Sequence, residues 1–139
     1  MMPIDVMKKR FEQVALSYLN TPYLWGGDDP SGIDCSGFVL NCLRSIGFVG
    51  AKEDMTADTM WKKWKAKEIS APQEMALIFY FRPDGVARHV TICLDQWFEI
   101  GADGGGSQVT NIAEAWKANA FVKISPIDLL PNVKFVNLF

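Results

Sequence analysis

The sequence predicts an α+β domain with its helices first and its sheet second. Three observations carry this. Apolar residues recur at helical spacing through the first half of the chain. From Pro72 onward the pattern changes to short apolar runs separated by turn residues. Consecutive runs are joined by links as tight as Asp95-Gln96, which suits an antiparallel meander.

The first helix is expected from Pro3 to about Asn20. Met7, Phe11, Val14, Ala15 and Tyr18 fall on one face, and Lys8, Lys9, Arg10, Glu12 and Gln13 lie mostly elsewhere. Thr21-Pro22 ends it, because the residue before proline disfavours helix. A turn-rich stretch follows, TPYLWGGDDPSGIDCSGF over Thr21 to Phe38. Phe38, Val39, Cys42, Leu43 and Ile46 then recur at helical spacing, with Gly47 as the stop. Thr56 caps a third helix through about Lys65, where Trp61 and Trp64 lie at i, i+3 and read chiefly as packing residues. In the second half, Met75 to Phe81 is a continuous apolar run fit for a central strand. Strands are expected at Arg88 to Leu94 and Trp97 to Ala102. Asp103 to Ser107 forms a glycine-rich loop. A short helix at Asn111 to Asn119 precedes strands at Phe121 to Ile124 and Lys134 to Leu138.

Composition narrows the function classes. The 139 residues suffice for a single domain, 1–139, with its own core. Hydrophobic residues are 49% and charged residues 22%, and the net charge is −2, so no basic field serves nucleic acid. No apolar run is long enough for stable insertion across a membrane. The segment MMPIDVMKKRFEQ has charges where a secretory signal has its apolar core. Cys35, Cys42 and Cys93 cannot all pair with one another and match no metal spacing. Reduced thiols, no metal and no cofactor are expected.

Two residues stand out chemically. Asp34 is placed to cap the second helix, which puts Cys35 in its first turn. Free N–H groups and the positive end of the helix dipole favour a thiolate there. His89 is the only histidine, near the start of a strand. With Thr91 and Cys93 it shares one strand face, opposite Val90, Ile92 and Leu94. A helix-borne thiol against a sheet-borne imidazole is the arrangement of a papain-type nucleophile and base. Cys42 falls on the apolar side of its helix, and Cys93 is assigned only to packing beneath the site.

PYLWGGDDPSGIDCSGFV resembles the signature of the NlpC-type papain-like cysteine peptidases, bacterial and phage enzymes that cut peptidoglycan stem peptides. Tyr23, Gly26, Gly27, Asp34, Cys35, Ser36, Gly37, Phe38 and Val39 match in order, and Arg88-His89-Val90-Thr91-Ile92 is similar to the family's second motif. The resemblance implies a papain-like fold in which the nucleophile helix packs on an antiparallel sheet. It implies Cys35 as nucleophile and His89 as base, with Asp34 and Ser36 binding the substrate's free amine and backbone. Tyr23 would flank the thiol, and Trp25 is a candidate for the mouth of the cleft. Simpler readings stand beside these: Asp34 as a plain N-cap, Tyr23 as a core aromatic, Trp25 as packing.

The sequence departs from the family at one position. Relatives place a polar residue just before an alanine on the strand after the histidine strand, where it orients the imidazole. Here the alanine is Ala102 and its predecessor is Gly101. Glu99, two residues back on the same face, is the expected orienter, with a backbone carbonyl as the substitute and a solvent-facing residue as the plain alternative. Asp103 is near but begins the loop.

The expected function is a cysteine endopeptidase acting on a D-γ-glutamyl–diamino acid bond of a stem peptide. The departure at Gly101 keeps open a catalytically silent binding or structural module of a phage tail or secretion assembly. A third reading is an amidase or acyltransferase on a non-wall amide. With no signal segment read, delivery to the wall would fall to phage lysis or a secretion system. Oligomeric state is not readable.

Overall fold

A computed structural model describes residues 2–129 and 131–139. The amphipathic stretch forms α1 (Ile4–Ser17), with Phe11 and Ala15 fully buried. The turn-rich stretch folds into a small hairpin, β1 (Asp28–Asp29) and β2 (Gly32–Ile33). Helix α2 (Cys35–Ser45) follows, capped by Asp34, and packs on α1. It ends as the sequence requires. Gly47 adopts φ +73°, Phe48 N–H reaches the carbonyl of Leu43 and Gly47 N–H that of Arg44. That pair of bonds satisfies carbonyls the helix would otherwise leave open. Helix α3 (Ala57–Trp64) is capped by the Thr56 hydroxyl, which accepts from Thr59 N–H. Trp64 is buried beside Phe48, and Trp61 packs on Phe79 and Phe81.

A 3-10 turn at Lys65–Lys67 leads to β3 (Glu68–Ile69), a strand too short to leave a sequence pattern. The sheet continues with β4 (Leu77–Phe81), β5 (Ala87–Cys93) and β6 (Phe98–Asp103). Helix α4 (Ile112–Ala118), β7 (Phe121–Pro126) and β8 (Val133–Val136) complete the order. The six strands are antiparallel, arranged β3-β8-β4-β5-β6-β7. The expected meander holds from β4 to β7 and fails at β8. That strand returns to the far side of β4. The apolar run of β4 is buried along its whole length, and a strand so placed needs a partner on each edge. Strand β8 supplies the second, Phe135 beside Ile78 and Val136 beside Leu77.

The sheet divides the interior. Val90, Ile92, Ile100, Ala102 and Val122 face the helices and join the main core with Phe11, Phe38 and Leu43. The opposite face carries a smaller cluster of Ala76, Ile78, Tyr80, Cys93 and Phe135. Helix α2 packs against β5 and β6. Its first turn is therefore held near the β5 and β6 ends that carry the candidate chemistry.

Candidate active site

Asp34 fixes the start of α2 through both carboxylate oxygens. Oδ1 accepts from Gly37 N–H at 2.7 Å and from the Ser36 hydroxyl at 3.3 Å. Oδ2 accepts from Gly26 N–H at 3.1 Å, tying the glycine turn to the helix. Burial raises its pKa against the pull of these bonds. The plain capping role is thus present. The first helical bond is Phe38 N–H to the carbonyl of Asp34. The cap takes Gly37 N–H, so the N–H groups of Cys35 and Ser36 are the open donors of this helix end.

Cys35 and His89 come together as their positions suggested. The thiol lies close enough to the imidazole to raise its pKa, and both line one cavity of about 200 Å³. The other side of the ring departs from expectation. His89 Nε2 lies 2.5 Å from Oδ1 of Asp103, so Nδ1 is left for Cys35. Burial alone would lower the His89 pKa. The bonds to Asp103 and Cys35 outweigh it and raise it to about 10, which favours imidazolium beside the thiol.

Glu99 does not make the contact expected of it. Its carboxylate accepts from the Tyr80 hydroxyl and from Thr91 Oγ1, the latter at 3.0 Å. It is buried rather than solvent-facing, and burial raises its pKa. The face shared by His89, Thr91 and Cys93 is therefore no open polar surface: Thr91 and Cys93 are fully buried, and Glu99 satisfies Thr91. Asp103 takes the imidazole because it stands at the end of β6, on the same face as Glu99 and Gly101, where the strand opens toward the cleft. Its strand parity was readable; its place as the last strand residue instead of the first loop residue was not.

The remaining residues sit around this core. Tyr23 is buried beside the thiol, and burial pushes its phenol pKa upward. Trp25 is 58% exposed and lines the cavity that holds Cys35, at its mouth rather than in the core. Gly104, Gly105 and Gly106 line the same cavity. Ser36 and Asp34 face an adjoining cavity of about 270 Å³, together with Asp28, Asp54 and Thr56. Two further residues stand beside His89 that the sequence analysis assigns no role in the site: Arg88 lines the Cys35 cavity, and the Tyr80 ring lies 5.6 Å from the imidazole, centroid to centroid.

Cys42 and Cys93 are buried and unpaired, and burial raises both thiol pKa values, that of Cys93 to about 12. Among the described residues no group of His, Cys, Asp and Glu could hold a metal ion, and no helix is long and apolar enough to cross a membrane.

Comparison with known proteins identifies the family and the fold. The model of the NlpC/P60 family matches residues 20–125. The probable peptidoglycan endopeptidase LytE of Bacillus subtilis is 31% identical over 104 residues, 74% of this chain and 30% of LytE. Among solved structures, the NlpC/p60 domain of the peptidoglycan hydrolase SagA superposes with a TM-score of 0.63 at 27% identity, covering 94% of this chain and 98% of that domain. RipD of Mycobacterium tuberculosis, a non-catalytic NlpC/p60 domain protein adapted to peptidoglycan binding, superposes at 0.67 with 18% identity, covering 96% and 98%. The chain spans between about a fifth and a third of the length of the first curated relatives it matches.

Proposed function

The chain belongs to the NlpC/P60 family, and on that premise we propose that it is a cysteine endopeptidase of peptidoglycan stem peptides, cutting between a D-γ-glutamyl residue and a diamino acid. The observation that carries this reading is that Cys35 shares one cavity wall with His89, whose ring is held by Asp103.

Each group has a step. The Cys35 thiolate attacks the scissile carbonyl carbon, and the carbonyl electron pair moves to oxygen. The open N–H groups at the start of α2 face that developing oxyanion. His89, protonated at Nδ1, gives its proton to the departing amine, leaving a thioester on Cys35. The neutral imidazole then takes a proton from water, whose oxygen attacks the thioester. Collapse of that adduct breaks the C–S bond, releases the acid product and restores the thiolate–imidazolium pair. Asp103 holds Nε2–H and with it the ring orientation. Ser36 and Asp34 take the amine end of the acyl portion in this reading, and Tyr23 and Trp25 border it.

The rival reading is a silent binding module, for which RipD is a precedent. A part-exposed thiol that shares a cavity with an imidazole, itself held by a carboxylate, argues for chemistry instead. The decisive experiment is digestion of purified muropeptides by wild type and Cys35→Ala, read by mass spectrometry. Cleavage by wild type alone, at the γ-glutamyl bond, is expected. Binding without cleavage by either protein moves the assignment to a silent module. Cleavage of a non-wall amide in place of stem peptides moves it to the amidase or acyltransferase reading.

A further inference from the structure

Strand β5 carries one residue more than its partner at the edge of the site. Tyr80 pairs with His89 and Phe81 with Ala87, so Arg88 has no opposite residue on β4. Such a bulge breaks the alternation of side chains and re-aims the extra one. Arg88 consequently lines the same two cavities as the adjacent His89. One is the cavity of about 200 Å³ that holds Cys35. The other, of about 360 Å³, lies on the side of Tyr80, Glu99 and Lys123.

The guanidinium is exposed and lies 5.9 Å from the ring centroid of Tyr80. Among the described residues it has no carboxylate within ion-pair distance. The contrast with Arg82 on the same hairpin is direct, since Arg82 is paired with Asp84 at 2.7 Å. In the cavity of Cys35 the other charged groups are His89 and Asp103, which hold one another. Arg88 is thus the one uncommitted full charge there, presented as a planar fork of donors suited to a carboxylate.

We propose that Arg88 is a specificity-determining residue that binds a free carboxylate next to the scissile amide. Resting on the peptidase reading above, the carboxylate is the α-carboxylate that a γ-glutamyl linkage leaves free on the acyl residue, a few bonds from the carbonyl that Cys35 attacks. The enzyme then distinguishes acidic stem peptides from those carrying an α-carboxamide at that residue.

The test compares stem tripeptides bearing D-glutamate or D-isoglutamine at the second position, and a third peptide amidated only on the diamino acid. Wild type is expected to favour the free acid by about tenfold or more in kcat/KM, as for a charge-assisted hydrogen bond. Arg88→Ala brings the acid-to-amide ratio toward one, and Arg88→Lys restores it in part. Equal use of acid and α-amide by wild type, or an unchanged ratio in Arg88→Ala, overturns the proposal. So does discrimination confined to the peptide amidated on the diamino acid. A second readout needs no substrate. Cys35 is the accessible thiol, so its alkylation by iodoacetate and by iodoacetamide reports the field in the cleft. The iodoacetate-to-iodoacetamide rate ratio is expected to fall several-fold in Arg88→Ala. Failure of wild type to cleave any peptide removes the peptidase reading, and an unmoved alkylation ratio removes the role of Arg88.

Discussion

Thr91 fills the space that a side chain at Gly101 would need: a Cβ built on Gly101 lies 2.5 Å from Cγ2 of Thr91 and 3.1 Å from its Cβ. The position just before Ala102 therefore has no room for a side chain that could orient the imidazole. Gly101→Ala is expected to lower stability by about 1–3 kcal/mol through overpacking. Thr91→Ser in the same chain should recover most of that loss. Serine drops the obstructing methyl and keeps the hydroxyl that donates to Glu99. A double-mutant cycle from urea denaturation reads the coupling, and purely additive losses would show that Thr91 is not the obstruction.

With Gly101 excluded, the carboxylate that reaches the imidazole is Asp103. Asp103→Asn is expected to reduce kcat/KM by about 10- to 100-fold, since orientation weakens while nucleophile and base remain. The pH profile carries the sharper signature. The bond to Asp103 raises the His89 pKa, so removing its charge lowers that pKa. Imidazolium is then lost at lower pH, and the alkaline limb of kcat/KM moves down from about 10. A profile that stays in place, with an unchanged rate, would remove Asp103 from the site.

Glu99 gives the complementary result. Its carboxylate is committed to Tyr80 and Thr91 in the smaller cluster. Glu99→Ala leaves those two buried hydroxyls without their acceptor and should cost about 1–3 kcal/mol of stability. The shift of the alkaline limb should be smaller than in Asp103→Asn, because Glu99 makes no hydrogen bond to the ring. Equal shifts in the two variants would return the orienting role to Glu99.

What the sequence disclosed followed physical range. The nucleophile helix was legible because its signals are local: Asp34 as cap, the period of Phe38, Val39, Cys42 and Leu43, and Gly47 as stop. The central placement of β4 was legible from its unbroken apolar run. The return of β8 beside β4 was not, because strand order is decided by pairing between residues as distant as Ile78 and Phe135. The choice between Glu99 and Asp103 was hidden for a related reason. Strand parity puts both on one face, and only the depth of each along β6 and the volume of Thr91 separate them. Arg88 was hidden by the bulge, which suspends the alternation from which facing is read.

The glycine-rich loop joins two halves of the site through a contact of backbone with ring. A Cβ at Gly105 would lie 2.0 Å from Cδ1 of Tyr23 and 2.4 Å from Cε1, so the loop rests directly on the aromatic face. Tyr23 cannot yield easily. Its N–H donates to the carbonyl of Ala120, and Trp25 N–H donates to that of Val109 at 2.8 Å. A side chain at 105 must therefore lift the loop, whose root is Asp103. Gly105→Ala is expected to lower kcat/KM about tenfold, the scale of a small misplacement of a catalytic group. It should also move the alkaline limb in the same direction as Asp103→Asn, because a displaced Asp103 raises the His89 pKa less. If the rate falls while the limb stays fixed, the loop acts on substrate alone, and its position is not coupled to the imidazole.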